Sequence, residues 1–175
     1  VTHSAPMLSL DKAYDEKALL HWASKFEGEL VMSPKVDGVA CSIRYVDGRL
    51  SVAATRGSGV VGEDITQNVL EICDVPRTLS GETRDVEIRG EVYLPLSAFA
   101  KVKDQLANPR NATAGALKQK SAKRVRTLGV RFFAYDVLGL DVETEIEKLE
   151  FAEAWGFSTV ERRLVSRQEV QIGYE

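Results

Sequence analysis

The sequence predicts an α+β fold with mainly antiparallel sheets and packed helices, and three observations carry that expectation. Residues 39–46 and 86–92 alternate apolar and polar side chains with the two-residue period of a strand. Asp47-Gly48 joins two alternating runs as a two-residue hairpin turn, which makes those strands antiparallel. Helical patterns interrupt the strands without a regular strand–helix–strand period, so a doubly wound parallel sheet is not expected.

Taken in order, Asp15 caps a helix whose Ala18, Leu19, Trp22, Ala23 and Phe26 follow helical spacing until Gly28 stops it. In the hairpin, Val39, Cys41, Ile43 and Tyr45 alternate with Ala40, Ser42, Arg44 and Val46, and Leu50, Val52 and Ala54 alternate on the return. The glycine-rich residues 57–62 require a flexible or sharply turned loop. Glu63-Asp64 then open a short helix through Ile65, Val69 and Ile72, which Pro76 ends. In the strand at 86–92 the apolar residues take one face and Glu87, Arg89 and Glu91 the other. Ser97 is expected to cap a helix to about Leu106, and the turn Asn108-Pro109-Arg110-Asn111 leads into a helix of small residues. Residues 130–137 read as a strand, and a helix from about 142 to 155 ends at Gly156.

A chain of 175 residues can bury one sizeable core, which predicts a single domain or a large piece of one. Hydrophobic content of 44% with 28% charged residues fits a soluble globular protein, and no apolar run approaches the roughly 20 residues that span a bilayer. No membrane association is expected. The opening Val1-Thr2-His3-Ser4-Ala5-Pro6 has neither an initiator Met nor a signal pattern and reads as a cut start. Cys41 and Cys73 stand far apart without a CxxC partner, which excludes a disulfide framework or a cysteine-rich zinc site and fits a reducing cytoplasm.

The formal net charge of −3 argues against a wholly basic nucleic-acid binder, but the charges are unevenly placed. Residues 105–135 contain no acid and hold Arg110, Lys118, Lys120, Lys123, Arg124, Arg126 and Arg131, whereas residues 141–153 are strongly acidic. The basic stretch can be a footprint for a phosphate backbone or simply a solvated face.

Chemistry concentrates at Lys35-Val36-Asp37-Gly38. In extended backbone, residues two apart point the same way, so Lys35 and Asp37 could face one pocket, and Gly38 permits a close approach. A lysine is nucleophilic only when deprotonated, against an ordinary pKa of about 10.4, and a second cation such as Arg56 would favour that state. Alone, K-x-D-G reads as a surface Lys-Asp pair before a glycine turn.

Longer motifs follow in order: Thr55-Arg56-Gly57-Ser58-Gly59, Gly62-Glu63-Asp64-Ile65-Thr66-Gln67-Asn68, Glu87-Ile88-Arg89-Gly90-Glu91-Val92, and residues 107–115, Ala-Asn-Pro-Arg-Asn-Ala-Thr-Ala-Gly. With Pro6-Met7-Leu8-Ser9-Leu10-Asp11 and Phe132-Phe133-Ala134-Tyr135, they make nearly the whole chain resemble the adenylation domain of bacterial NAD-dependent DNA ligases. The resemblance implies a nucleotidyltransferase fold of the ATP-grasp-like ligase type. It implies that Lys35 attacks the α-phosphorus of NAD to form a lysyl-AMP, which passes to the 5′-phosphate of nicked double-stranded DNA. Ser9 and Leu10 would border the nucleotide, Arg56 and Glu91 would bind NAD or its AMP part, and Asp37 would belong to the same cofactor site. NAD and Mg2+ are the implied cofactors, and a monomer in the bacterial cytoplasm, near the nucleoid, the implied setting.

The resemblance is incomplete at Ser33, where the family usually has Glu, at Ser58, where Asp is usual, and between Phe99 and Ala107, a stretch shorter than typical. It also implies a partial adenylation domain over residues 1–175, lacking the family's nicotinamide-binding segment and its later D-G-x-V-x-K motif and lysine. Such a fragment is expected to be inactive alone. The rival expectations are an ATP-dependent ligase or capping-type nucleotidyltransferase, and a degenerate nucleic-acid-binding module.

Overall fold

In a computed structural model that describes residues 1–119 and 121–170, the chain forms two compact units. The larger comprises Val1–Met7 and Val36–Thr159, and the smaller Leu8–Lys35 with residues from Val160 onward.

The larger unit is built on a four-stranded antiparallel sheet. Its strands are β2 (Val39–Val46), β3 (Arg49–Thr55), β4 (Val86–Tyr93) and β5 (Arg131–Leu138), in the order β3-β2-β4-β5. The expected hairpin is present, with Asp47 and Gly48 both at positive φ, 48° and 66°, the backbone that a tight two-residue turn demands. Its return strand departs from strict alternation. Arg44 pairs with Val52 but Tyr45 with Leu50, so Ser51 is an extra bulged residue, and beyond it the core-facing position falls on Ala53 rather than on Val52 or Ala54.

One face of the sheet carries the hydrophobic core. Cys41, Ile43, Tyr45, Ile88, Val92, Phe132 and Val137 are buried there. Over them pack α2 (Thr66–Val69), α4 (Pro109–Leu117), α5 (Lys123–Leu128) and α6 (Glu145–Ala154). Asn108 caps α4 by accepting from the Asn111 N–H, with Pro109 at the first helical position, so the expected turn is the first turn of the helix itself. Thr144 and Glu147 form a reciprocal capping box at α6. The basic, short α5 was not predicted; it ends at Gly129 in a left-handed conformation, φ 70°.

The helix expected from Ser97 to about Leu106 is a single turn, α3 (Leu96–Phe99), which starts after Pro95 and receives no side-chain cap. Beyond it the chain runs on in three-residue turns, Val102 N–H to Phe99 and Gln105 N–H to Val102, which still bring Phe99, Val102 and Leu106 onto the core.

In the smaller unit, Asp15 caps α1 (Glu16–Ala23) by accepting from the Ala18 N–H. Strand β1 (Leu30–Met32) pairs antiparallel with β6 (Arg163–Val165). Ala23, Val165 and Val170 form its core with Leu19, Leu30 and Met32 against them. No helix among the described residues is long and apolar enough to cross a membrane.

Candidate active site

The second face of the larger unit's sheet is polar, and the motif residues gather on it. Gly38, the last residue of K-x-D-G, begins the approach to β2 with its N–H donating to Glu91 Oε1 at 3.2 Å. A Cβ built on Gly38 would lie 2.3 Å from the Val92 carbonyl oxygen and 2.9 Å from Glu91 Cγ, so the backbone passes where only glycine fits. Asp37, next to it, accepts from Arg110 Nη1 at 2.8 Å. K-x-D-G therefore meets two motifs that lie 53 and 73 residues farther along the chain.

Arg56 belongs to the same face. Its N–H donates to the Ala40 carbonyl of β2 at 3.0 Å, and its side chain is exposed. The loop behind it is sharply turned, with Gly57 and Gly59 at positive φ. Ser58 Oγ accepts from the Val61 N–H at 3.2 Å and the Val60 N–H at 3.4 Å, so its hydroxyl gathers the loop amides.

Of the acidic and basic residues on the polar face of β4, only Glu91 sits beside the K-x-D-G glycine. Glu87 and Arg89 are buried, 4% and 8% exposed, and form an ion pair at 2.9 Å that serves a different purpose. Arg89 donates to the carbonyls of Ala5 and Pro6, Ser4 Oγ donates to Glu87, and Arg44 donates to the Thr2 carbonyl. Residues 1–7 thus lie as a strap across the sheet, fixed by charged hydrogen bonds. Burial alone would raise the Glu87 carboxyl, but hydrogen bonds from Ser4, Arg89 and Ser42 outweigh it and hold the group below its ordinary value.

Tyr135 is a neighbour that sequence reasoning did not single out. In β5, Arg89 pairs with Asp136 and Gly90 with Ala134, so Tyr135 is the extra residue of a bulge, with its ring turned away from the core. Burial, helped by the charge of Glu91, pushes its phenol up to about 12. The same two causes push the Cys41 thiol up, which keeps that buried sulfur inert.

The remaining predicted residues lie in the smaller unit: Ser9, Leu10 and Lys35 are all exposed there, as is Ser33. The seven cations of the basic stretch divide. Arg110 is committed to Asp37, Arg126 pairs with Glu71 at 2.8 Å, and Arg131 with Asp74 at 3.7 Å. Lys118 and Lys123 are exposed and Arg124 half-buried, while Lys120 lies outside the described residues.

The larger unit thus carries an exposed guanidinium at Arg56 and a carboxylate, Glu91, that accepts from the Gly38 N–H. A family model for the NAD-dependent DNA ligase adenylation domain matches residues 1–173. The chain belongs to that family. The curated relatives agree: the DNA ligase of Wolbachia pipientis wMel is 42% identical over 172 residues, covering 93% of this chain and 26% of the relative. The DNA ligase of Phenylobacterium zucineum is 42% identical over 180 residues, 91% of this chain and 26% of the relative, and that of Metamycoplasma arthritidis is 35% identical over 188 residues, 98% and 28%. The chain spans about a quarter of the length of these ligases. The match decides for the NAD-dependent branch over the ATP-dependent and capping-type alternatives.

Proposed function

We propose that this chain, with a nucleotidyltransferase-type fold, carries the AMP-accepting lysine of an NAD-dependent DNA ligase. The observation that carries the reading is the meeting, in the larger unit, of the Asp37-Gly38 end of K-x-D-G with E-x-R-G-E and N-P-R-N through the Gly38–Glu91 and Asp37–Arg110 contacts. Lys35 stands two residues before Asp37 in the chain. Its uncharged amine attacks the α-phosphorus of NAD, a P–N bond forms, the bond to the bridging pyrophosphate oxygen breaks, and nicotinamide mononucleotide leaves as the amine gives up a proton. Arg56 offsets the phosphate charge, Glu91 accepts from the ribose hydroxyls while fixing Gly38, and Ser9 and Leu10 border the nucleotide. The ring of Tyr135 beside Glu91 offers a face for the base.

The lysyl-AMP then passes its AMP to the 5′-phosphate at a nick in duplex DNA, and Lys118, Lys123 and Arg124 bind the DNA backbone through its phosphates. The enzyme acts as a monomer in the bacterial cytoplasm, near the nucleoid. Magnesium accompanies the reaction in this family reading. Such an ion is commonly held by one or two carboxylates together with the substrate's phosphates rather than by an all-protein cage.

Intact-mass spectrometry of the full-length parent after incubation with NAD tests the reading. The wild type gains one AMP, and Lys35→Ala and Lys35→Arg gain none, the latter because a guanidinium does not deprotonate. A full AMP adduct on either variant refutes the assignment.

A further inference from the structure

We infer that His3 is a positioning residue for nucleotide binding: from the strap beneath the glycine loop it holds the carbonyl of Arg56 and so sets the direction from which the Arg56 guanidinium reaches a phosphate. The inference rests on Arg56 binding the nucleotide.

His3 is 8% exposed, and its Nε2 lies 3.1 Å from the Arg56 carbonyl oxygen. A carbonyl only accepts, so Nε2 carries the hydrogen in this contact. Nδ1 is buried with no hydrogen-bond partner among the described residues. A buried imidazole that leaves one nitrogen unpaired costs stability, and the contact it secures in exchange is the one to Arg56.

The surroundings make that contact rigid. The His3 N–H donates to the Val60 carbonyl at 2.9 Å, and Val1 and Gly62 exchange hydrogen bonds, so the strap is fastened to the loop on both sides of the ring. A Cβ on Gly62 would sit 3.0 Å from His3 Nε2 and 1.7 Å from the Thr55 carbonyl oxygen, so the loop closes directly onto the imidazole. Arg56 is therefore pinned through its backbone. Its N–H is held by Ala40 of β2, and its carbonyl accepts from both the Gly59 N–H and His3, so any response to a ligand falls to the exposed side chain.

The test is a double-mutant cycle in the full-length ligase, reading KM for NAD and kcat of self-adenylation separately. His3→Leu fills the ring's volume without a donor, His3→Asn places an amide nitrogen too short to reach the carbonyl, and His3→Gln places one near the position of Nε2. KM for NAD is expected to rise about tenfold in His3→Leu and His3→Asn, the loss of one hydrogen bond at the Arg56 carbonyl, with kcat changed less. His3→Gln should restore KM to within about threefold, and in an Arg56→Ala background His3→Asn should add nothing. If His3→Leu does not fold, the Asn and Gln pair decides. An unchanged KM in His3→Asn, no rescue by Gln, or an equal loss in the Arg56→Ala background overturns the inference while leaving Arg56 as a nucleotide contact. An unchanged KM in Arg56→Ala alone overturns the reading of Arg56 and the inference with it.

Discussion

Replacing Gly38 by Ala adds one methyl group at the point where K-x-D-G meets β4, and the structure fixes what that methyl encounters. Its position lies 2.3 Å from a backbone oxygen that belongs to a central strand and 2.9 Å from Glu91 Cγ. Ordinary contact needs roughly another 1 Å, which β4 cannot yield without disturbing its pairing with both β2 and β5. Overpacking of this kind costs about 1–3 kcal/mol, and the displaced Gly38–Glu91 hydrogen bond adds about 1 kcal/mol. The sum is about 2–4 kcal/mol, a fall of roughly 4–16 °C in melting temperature for a chain of this size. Gly115→Ala is the matched control, because a Cβ there meets nothing within 4 Å inside helix α4, and alanine should stabilise by about 0.5–1 kcal/mol. Thermal unfolding followed by circular dichroism measures both. A Gly38→Ala variant that melts with the wild type, or above Gly115→Ala, would mean that the backbone does not pass Val92 this closely and that the meeting of the motifs is not built as described.

Two further outcomes are expected. In the full-length ligase, replacing Lys118, Lys123 and Arg124 together by Ala should weaken binding to nicked duplex and flatten its salt dependence, by about 0.9 in the log–log slope for each phosphate that is no longer neutralised; fluorescence anisotropy across a salt series checks this, and an unaltered slope would make the stretch a solvated face. Glu87, held below its ordinary value, stabilises the fold at pH above its unfolded value, and that stability is lost as pH falls through the folded one. Glu87→Gln should therefore lower stability at pH 7 and shrink the difference between pH 7 and pH 3, which urea titrations at the two pH values measure.

What could be read from the sequence follows the range of the interaction that sets each feature. The hairpin was legible because Asp47-Gly48 encodes its own turn, and α1 because Asp15 caps within three residues; at α4 the Asn108-Pro109 signal read as a turn before the helix, and it is the helix's first turn. The bulge at Ser51 was not, since Leu50, Val52 and Ala54 alternate perfectly well, and only pairing with Arg44 and Tyr45 reveals the extra residue. Ser97 misled because a good capping residue lies just inside a turn whose start Pro95 had already set. Strands β1 and β6 escaped notice because three residues give no period to detect. At the candidate site the motif residues were visible as types, but their partners were not. Arg110 looked like one cation among seven until the fold placed it on Asp37.

The E-x-R-G-E motif shows why residue type alone divides roles poorly. Glu87, Arg89 and Glu91 alternate along one face of β4, and a sequence reading treats them as one charged cluster. Their depth separates them. Glu87 and Arg89 are buried under the strap and paired with each other; removing Glu87 would leave the buried Arg89 without its carboxylate, whereas removing Arg89 would leave Glu87 with Arg44 at 3.4 Å. Glu91 is half-buried two residues farther along, past the end of that strap, and holds the glycine that opens β2. A substitution at Arg89 would then lower stability first and nucleotide affinity as a consequence, whereas one at Glu91 should act on affinity with little loss of fold. The two effects are separable because a destabilised but folded Arg89 variant regains NAD affinity on cooling and a Glu91 variant does not.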